Sequence, residues 1–138
     1  MTAKDVFHDV LKVALEKEGW KITHDPLVLD GAEPELSIDL AAEKCSEVSQ
    51  ETRKIAVSVK SFVRATSVLK YQLALVKFLN DRDILKRREG YRNLYLAVPI
   101  QNYRRFLQEE SLRNSLNEAQ VRTIVFDPIQ GKIDRWIE

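Results

Sequence analysis

Apolar residues along the chain fall into short runs whose period switches between that of a helix and that of a strand. From Lys4 to Gly19, Val6, Val10, Leu11, Ala14 and Leu15 recur on one helical face with charges on the other. Thr2 stands where an N-cap belongs, and Gly19 where a helix ends. Trp20-Lys21-Ile22-Thr23 then alternates like a strand, and His24-Asp25-Pro26 stops it, because proline cannot donate into a ladder. A turn-rich stretch around Asp30-Gly31-Ala32 and Pro34 leads to Leu36-Ser37-Ile38-Asp39-Leu40, whose alternation predicts a strand. Residues Glu43 to Arg53 are polar and irregular, which predicts a helical turn and a loop.

Ile55-Ala56-Val57-Ser58-Val59-Lys60 is the clearest strand, with its β-branched residues on one face and Ala56, Ser58 and Lys60 on the other. A long helix follows from Val68 to Arg88, capped by Thr66 or Ser67 and ended by Gly90. Its expected buried side carries Leu69, Leu73, Val76, Leu79 and Leu85. Leu94 to Val98 is a continuous apolar run, as in a strand covered on both faces. Asn102 to Leu116 reads as a helix with Tyr103, Phe106, Leu107 and Leu112 inward. Val121 to Phe126 reads as a strand, Asp127 to Gly131 as a turn, and Lys132 to Trp136 as a last strand. Strands first, then crossovers through helices, predict an α/β fold with a mixed central sheet flanked by helices.

Length and composition add limits. A chain of 138 residues with 44% hydrophobic residues suits one domain over residues 1–138 with a real core. The single Cys45 fits a reducing compartment and leaves no set for a cysteine zinc site. Lys4, Asp5, His8 and Asp9 interrupt any apolar leader, and no stretch approaches the roughly 20 apolar residues of a membrane span. A cytoplasmic protein with no membrane partner is expected.

Charge nearly cancels to +1 overall, but residues 1–60 hold 8 Lys/Arg against 12 Asp/Glu, and residues 61–138 hold 14 against 9. The excess lies in Arg82, Lys86, Arg87, Arg88, Arg92, Arg104 and Arg105, opposed there only by Asp83 and Glu89. A solvated helix end explains such a run, and so does a rim facing nucleic-acid phosphates.

The candidate chemistry lies at Asp39 and, 19 residues on, Ser58-Val59-Lys60. If the two strands pair, Asp39, Ser58 and Lys60 converge at one sheet end. Metal-dependent nucleases use the layout Asp…Glu-x-Lys, in which two carboxylates hold Mg²⁺ and the lysine orients the attacking water. Here the middle member is a serine, so any Mg²⁺ or Mn²⁺ held through Asp39 is weak, and no cofactor is tightly bound. An ordinary Asp39–Lys60 cross-strand ion pair is the plainer account of the same spacing. Glu43, four residues after Asp39, is a candidate replacement carboxylate, or simply a solvated or capping glutamate. His8, in the first helical turn, can orient a phosphate or water, or be a partly exposed helix histidine. His24 reads as turn chemistry. Trp20 and Trp136 read as core or interface anchors, since they lack the interleaved aromatics of single-strand binders.

Several motifs resemble the XisH family, the fdxN element excision controlling factors. They are Ala3-Lys4-Asp5-Val6-Phe7-His8, Gly19 to Leu27, Ile38-Asp39-Leu40-Ala41-Ala42-Glu43-Lys44, Lys54 to Phe62, and Leu94 to Pro99, in order along nearly the whole chain. The resemblance implies a PD-(D/E)xK nuclease-like, restriction-endonuclease-like fold. It also implies a role in site-specific excision of a DNA element in cyanobacteria, with an XisI-like protein and a site-specific recombinase as partners. Asp39 matches the family's metal-binding aspartate and Lys60 its motif lysine, while Ser58 stands at the usual glutamate. In Ala74-Leu75-Val76-Lys77-Phe78-Leu79-Asn80-Asp81, Lys77 and Asp81 replace a usual glutamine and tyrosine. Three polar positions thus depart while the apolar frame persists, which favours a regulatory protein on a nuclease scaffold. The alternatives are an active endonuclease using Glu43 and a protein–protein module that reaches DNA only through partners. Self-association into a homo-oligomer is compatible with each.

Overall fold

The computed structural model describes residues 4–29, 35–62 and 67–138. The elements run α1 (His8–Lys17), β1 (Lys21–His24), β2 (Leu27–Leu29), β3 (Leu36–Ile38), β4 (Leu40–Cys45) and β5 (Thr52–Val59). They continue with α2 (Val68–Arg88), β6 (Arg92–Pro99), α3 (Ile100–Gln108), α4 (Glu110–Glu118), β7 (Thr123–Asp127) and β8 (Lys132–Ile137). Six strands form one mixed sheet in the order β1-β4-β5-β6-β7-β8, and β2 and β3 form a separate antiparallel pair. β5, β6 and β7 are parallel to one another, whereas β1, β4 and β8 join antiparallel. The expected mixed sheet flanked by helices is the observed architecture.

Each face of the sheet carries its own core. Ile55, Val57 and Val59 of β5 pack with Leu11, Leu15, Trp20, Tyr95 and Phe126 on the α1 side. Ala56 faces the other way, into a core shared with Tyr71, Leu75, Phe78, Phe106 and Leu112. The sheet curls around α1 far enough that Trp20, next to β1, stacks on Trp136 of β8 with ring centroids 5.6 Å apart. Trp136 also donates its indole N–H to Glu18. Both tryptophans are therefore anchors. Gly19 ends α1 with φ 92°, a left-handed conformation that glycine adopts without steric cost.

Four expectations need correction. The strand expected over Leu36–Leu40 breaks at Asp39: its first half pairs with β2, and only Leu40 enters the main sheet. The stretch from Glu43 that was expected to be irregular begins instead as strand, because Glu43, Lys44 and Cys45 continue β4 opposite Lys54, Arg53 and Thr52. Alternating polar residues on an exposed hairpin resemble a loop in composition. The helix expected over Asn102–Leu116 is two helices, broken where Glu109 is extended. The Arg113 guanidinium satisfies the freed Leu107 carbonyl at 2.7 Å. Leu107 itself is exposed, as is Val6. The expected turn at Asp30–Pro34 and the caps Thr2 and Thr66 lie outside the described residues.

The fourth correction concerns α2, which carries two apolar stripes. Leu69, Leu73 and Val76 are about 60% exposed, and the core takes Tyr71, Leu75, Phe78 and Ile84 in their place, with Leu85 buried as expected. Period alone cannot choose between two stripes on one helix, but ring packing does. Tyr71 stacks on Phe62 at 4.2 Å and meets Phe106 edge-on at 4.9 Å. Leu75→Ala is therefore expected to cost about 2–5 kcal/mol in urea unfolding, as buried leucine truncations do, whereas Leu73→Ala should stay within about 0.5 kcal/mol.

Candidate functional site

The site grows from a mismatch in strand length. β4 enters the sheet at Leu40, opposite Val57, while β5 runs on toward Lys60. Along β5, alternate N–H groups point to opposite neighbours. That of Lys60 reaches Ala97 of β6 at 2.9 Å. Those of Val59 and Ser61 face the side that β4 has left, and carboxylates replace the missing carbonyls there. Asp39 Oδ2 accepts the Val59 N–H at 2.8 Å, and Asp5 Oδ2 accepts the Ser61 N–H at 2.8 Å. Asp5 also accepts the Phe7 N–H through Oδ1 at 3.0 Å, so one side chain ties the start of α1 to the end of β5.

Asp39 sits at the bend before β4, whose register with β5 begins at Leu40–Val57, and its bond to the Val59 N–H holds its carboxylate at the Ser58–Val59–Lys60 end of β5. The plain ion pair does not form: among the described residues, the half-exposed Lys60 ammonium has no hydrogen-bond or ion-pair partner. Asp5 is the carboxylate that sequence reasoning missed. Its signal was present as an aspartate three residues before the first helical residue, but nothing local links it to β5 in sequence.

Other candidates lie elsewhere. Glu43 is paired opposite Lys54, four residues down β4 from Asp39 and so about 13 Å away at strand rise. It stands apart from the Asp39 end of the sheet. His8 is 3% exposed rather than surface-bound, with Nε2 at 2.7 Å from Asp25 Oδ1 and Nδ1 buried without a partner. Lys12 completes that cluster at 2.9 Å from Asp25 Oδ2, clamping the turn after β1 onto α1. Lys77 pairs with Asp81 at 2.6 Å, so these two α2 residues satisfy each other.

The arginine run does not form one rim. Arg92 is 7% exposed, bound to Glu89 at 3.0 Å and to the Ile55 carbonyl at 3.1 Å. It is a structural residue, and expecting it on a phosphate-facing rim was wrong. Arg82 donates to the Ala119 and Gln120 carbonyls, Arg87 pairs with Asp83 at 3.1 Å, and Arg88 donates to the Leu29 carbonyl at 3.0 Å.

The donor set does not fit a firmly held Mg²⁺ or Mn²⁺. Such an ion needs several oxygens in near-ideal octahedral array and anionic charge to offset its dehydration. Here Asp39 and Asp5 each give an oxygen to a backbone N–H, Ser58 is neutral, and Lys60 adds a positive charge. Among the described residues, no three His, Cys, Asp or Glu side chains gather as a metal would require.

A mixed sheet flanked by helices, with carboxylates closing the end of β5, defines an α/β protein. The chain belongs to the XisH family, whose model, described as XisH protein, matches residues 1–134. A crystal structure of an XisH family protein from Nostoc punctiforme PCC 73102 is similar at 42% identity and a TM-score of 0.84, covering 97% of this chain and 100% of that one. The structure of a fdxN element excision controlling factor protein from Anabaena variabilis is similar at 40% identity and a TM-score of 0.85, covering 98% and 100%. No curated protein matches the chain.

The Asp25 cluster makes acid sensitivity testable. Burial pushes the Asp25 carboxyl upward, but hydrogen bonds from Lys12 and His8, with their charges, outweigh it and hold the group below its ordinary 3.8. A depressed carboxyl stabilises the fold above its unfolded-state value, and that stability is lost as pH falls through the folded-state value. Unfolding free energy should therefore decline below about pH 4, and less steeply in Lys12→Met. Parallel pH curves for the two proteins in urea titrations would contradict the cluster's role.

Proposed function

We propose that the protein is an XisH-type excision controlling factor, acting in the cytoplasm of a cyanobacterium. In this reading it regulates site-specific excision of a DNA element of the fdxN kind, together with an XisI-like protein and a site-specific recombinase. The identity to the Anabaena variabilis factor over nearly the whole chain supports the role. The PD-(D/E)xK nuclease scaffold serves for assembly, with little or no DNA cleavage. The observation that carries this is the commitment of Asp39 to the Val59 N–H beside a neutral Ser58. The burial of Arg92 and the internal bonds of Arg82 favour contact with DNA through partners over a direct phosphate rim.

One observation favours a second reading, an endonuclease with a relocated carboxylate. Asp5 reaches the same end of β5 and is the residue to which that role would fall, in place of Glu43.

Ser58→Glu separates the two. On the scaffold reading, wild type binds Mn²⁺ weakly by calorimetry and leaves plasmid uncut. Ser58→Glu should then raise Mn²⁺ affinity about tenfold or more, the scale of one added charge near the ion. Tight binding by wild type that disappears in Asp5→Asn, with plasmid cleavage, would establish the enzyme instead.

A further inference from the structure

The cations that fail to form a rim on α2 do meet elsewhere. A cleft of about 830 Å³ opens at the amino ends of β6 and β7, lined in part by Arg82, Lys86, Asn93, Asn117, Arg122 and Glu138. It is remote from the Asp39–Lys60 end of the sheet. Arg92 pairs with Lys54 and Ala97 with Val59, so the two ends are five residues, about 16 Å, apart along the strands. We propose that this cleft binds a small organic phosphate of nucleotide size, such as a nucleoside diphosphate.

The cations are disposed for it. Arg82 and Lys86 lie one helical turn apart on α2, and Arg122 comes from the opposite wall just before β7. Arg82 is held in place by its bonds to the Ala119 and Gln120 carbonyls, which use one terminal nitrogen and leave the rest of the guanidinium without a partner. Among the described residues, the Lys86 and Arg122 side chains make no hydrogen bond or ion pair, although the Arg122 charge lies near enough to Glu138 to help hold its carboxyl below the ordinary range. Three positive groups around one concavity repel one another, and a multiply charged anion relieves that repulsion. The two lining acids offset them only in part, since each has another cation as its hydrogen-bonded partner. Asp83 pairs with Arg87, and Glu138 accepts from the Tyr95 hydroxyl and from Arg53 at 2.8 Å.

Shape selects the class of anion. The volume falls within the range of about 300–1,000 Å³ typical of small-molecule sites, far more than a bare phosphate fills. Leu79, Leu94 and Val121 supply apolar wall for a ligand body, and the Asn93 and Asn117 amides offer donors and acceptors beside it. Duplex DNA presents its phosphates along a convex ridge, so it suits an extended basic face better than a recess.

Calorimetry on the full chain tests this with three probes: ADP, inorganic phosphate and a short DNA duplex. Lys86→Ala/Arg122→Ala removes two side chains that hold nothing else by hydrogen bond, so its folding, checked by thermal melt, should survive. ADP should bind wild type, more tightly than phosphate, and lose at least tenfold in affinity in the double variant. Arg104→Ala, an exposed cation outside the cleft, should leave ADP binding unchanged. No ADP binding, phosphate binding as tightly as ADP, duplex displacing ADP, or an equal loss in Arg104→Ala would each overturn the proposal. None of these outcomes depends on whether the Ser58 site cleaves DNA.

Discussion

Two backbone N–H groups at the end of β5 determine how the polar end of this molecule is arranged. β4 turns away at Asp39 while β5 continues, and a half-buried donor left without an acceptor costs about 1–3 kcal/mol. Asp39 and Asp5 remove that cost for Val59 and Ser61. In doing so they fix the break between β3 and β4, and they dock the first turn of α1 onto the sheet. Any metal at this end of the sheet would have to draw on these same carboxylates. Their structural use and a catalytic use compete for the same oxygens.

Against that background, the neutral Ser58 is coherent with the rest of the chain. A carboxylate there would stand near Asp39, close to the backbone donors and Lys60, and would need a cation to offset it. Serine needs none. On α2, Lys77 and Asp81 form an ion pair that closes on itself. At the opposite end of the strands, Lys86 and Arg122 line a separate cleft.

Much of this was legible in the sequence, and the exceptions have physical causes. Strand β5 and the bounds of α2 follow from strong periodicity and from Gly90. The pairing of the strand after Asp39 with β5 follows from the alternation of both segments, whereas the bend at Asp39 itself does not. The buried face of α2 was not legible, because Leu69-Leu73-Val76 and Tyr71-Leu75-Phe78 have the same helical spacing. Only contacts with Phe62 and Phe106, made across the fold, decide between them. Glu43 looked like a loop residue near the site because polar hairpin strands lack an apolar signature. Asp5 was invisible for a different reason: its partner Ser61 is 56 residues away, and no local pattern encodes that bond.

Amide hydrogen exchange at Val59 and Ser61, followed by NMR with and without Mg²⁺, tests the competition most directly. If the carboxylates serve the backbone, both amides are protected, Mg²⁺ leaves that protection unchanged, and Asp39→Ala abolishes it at Val59. Loss of protection on adding Mg²⁺ to the wild-type protein would mean that Asp39 and Asp5 turn to the metal, and would contradict the structural role assigned to them.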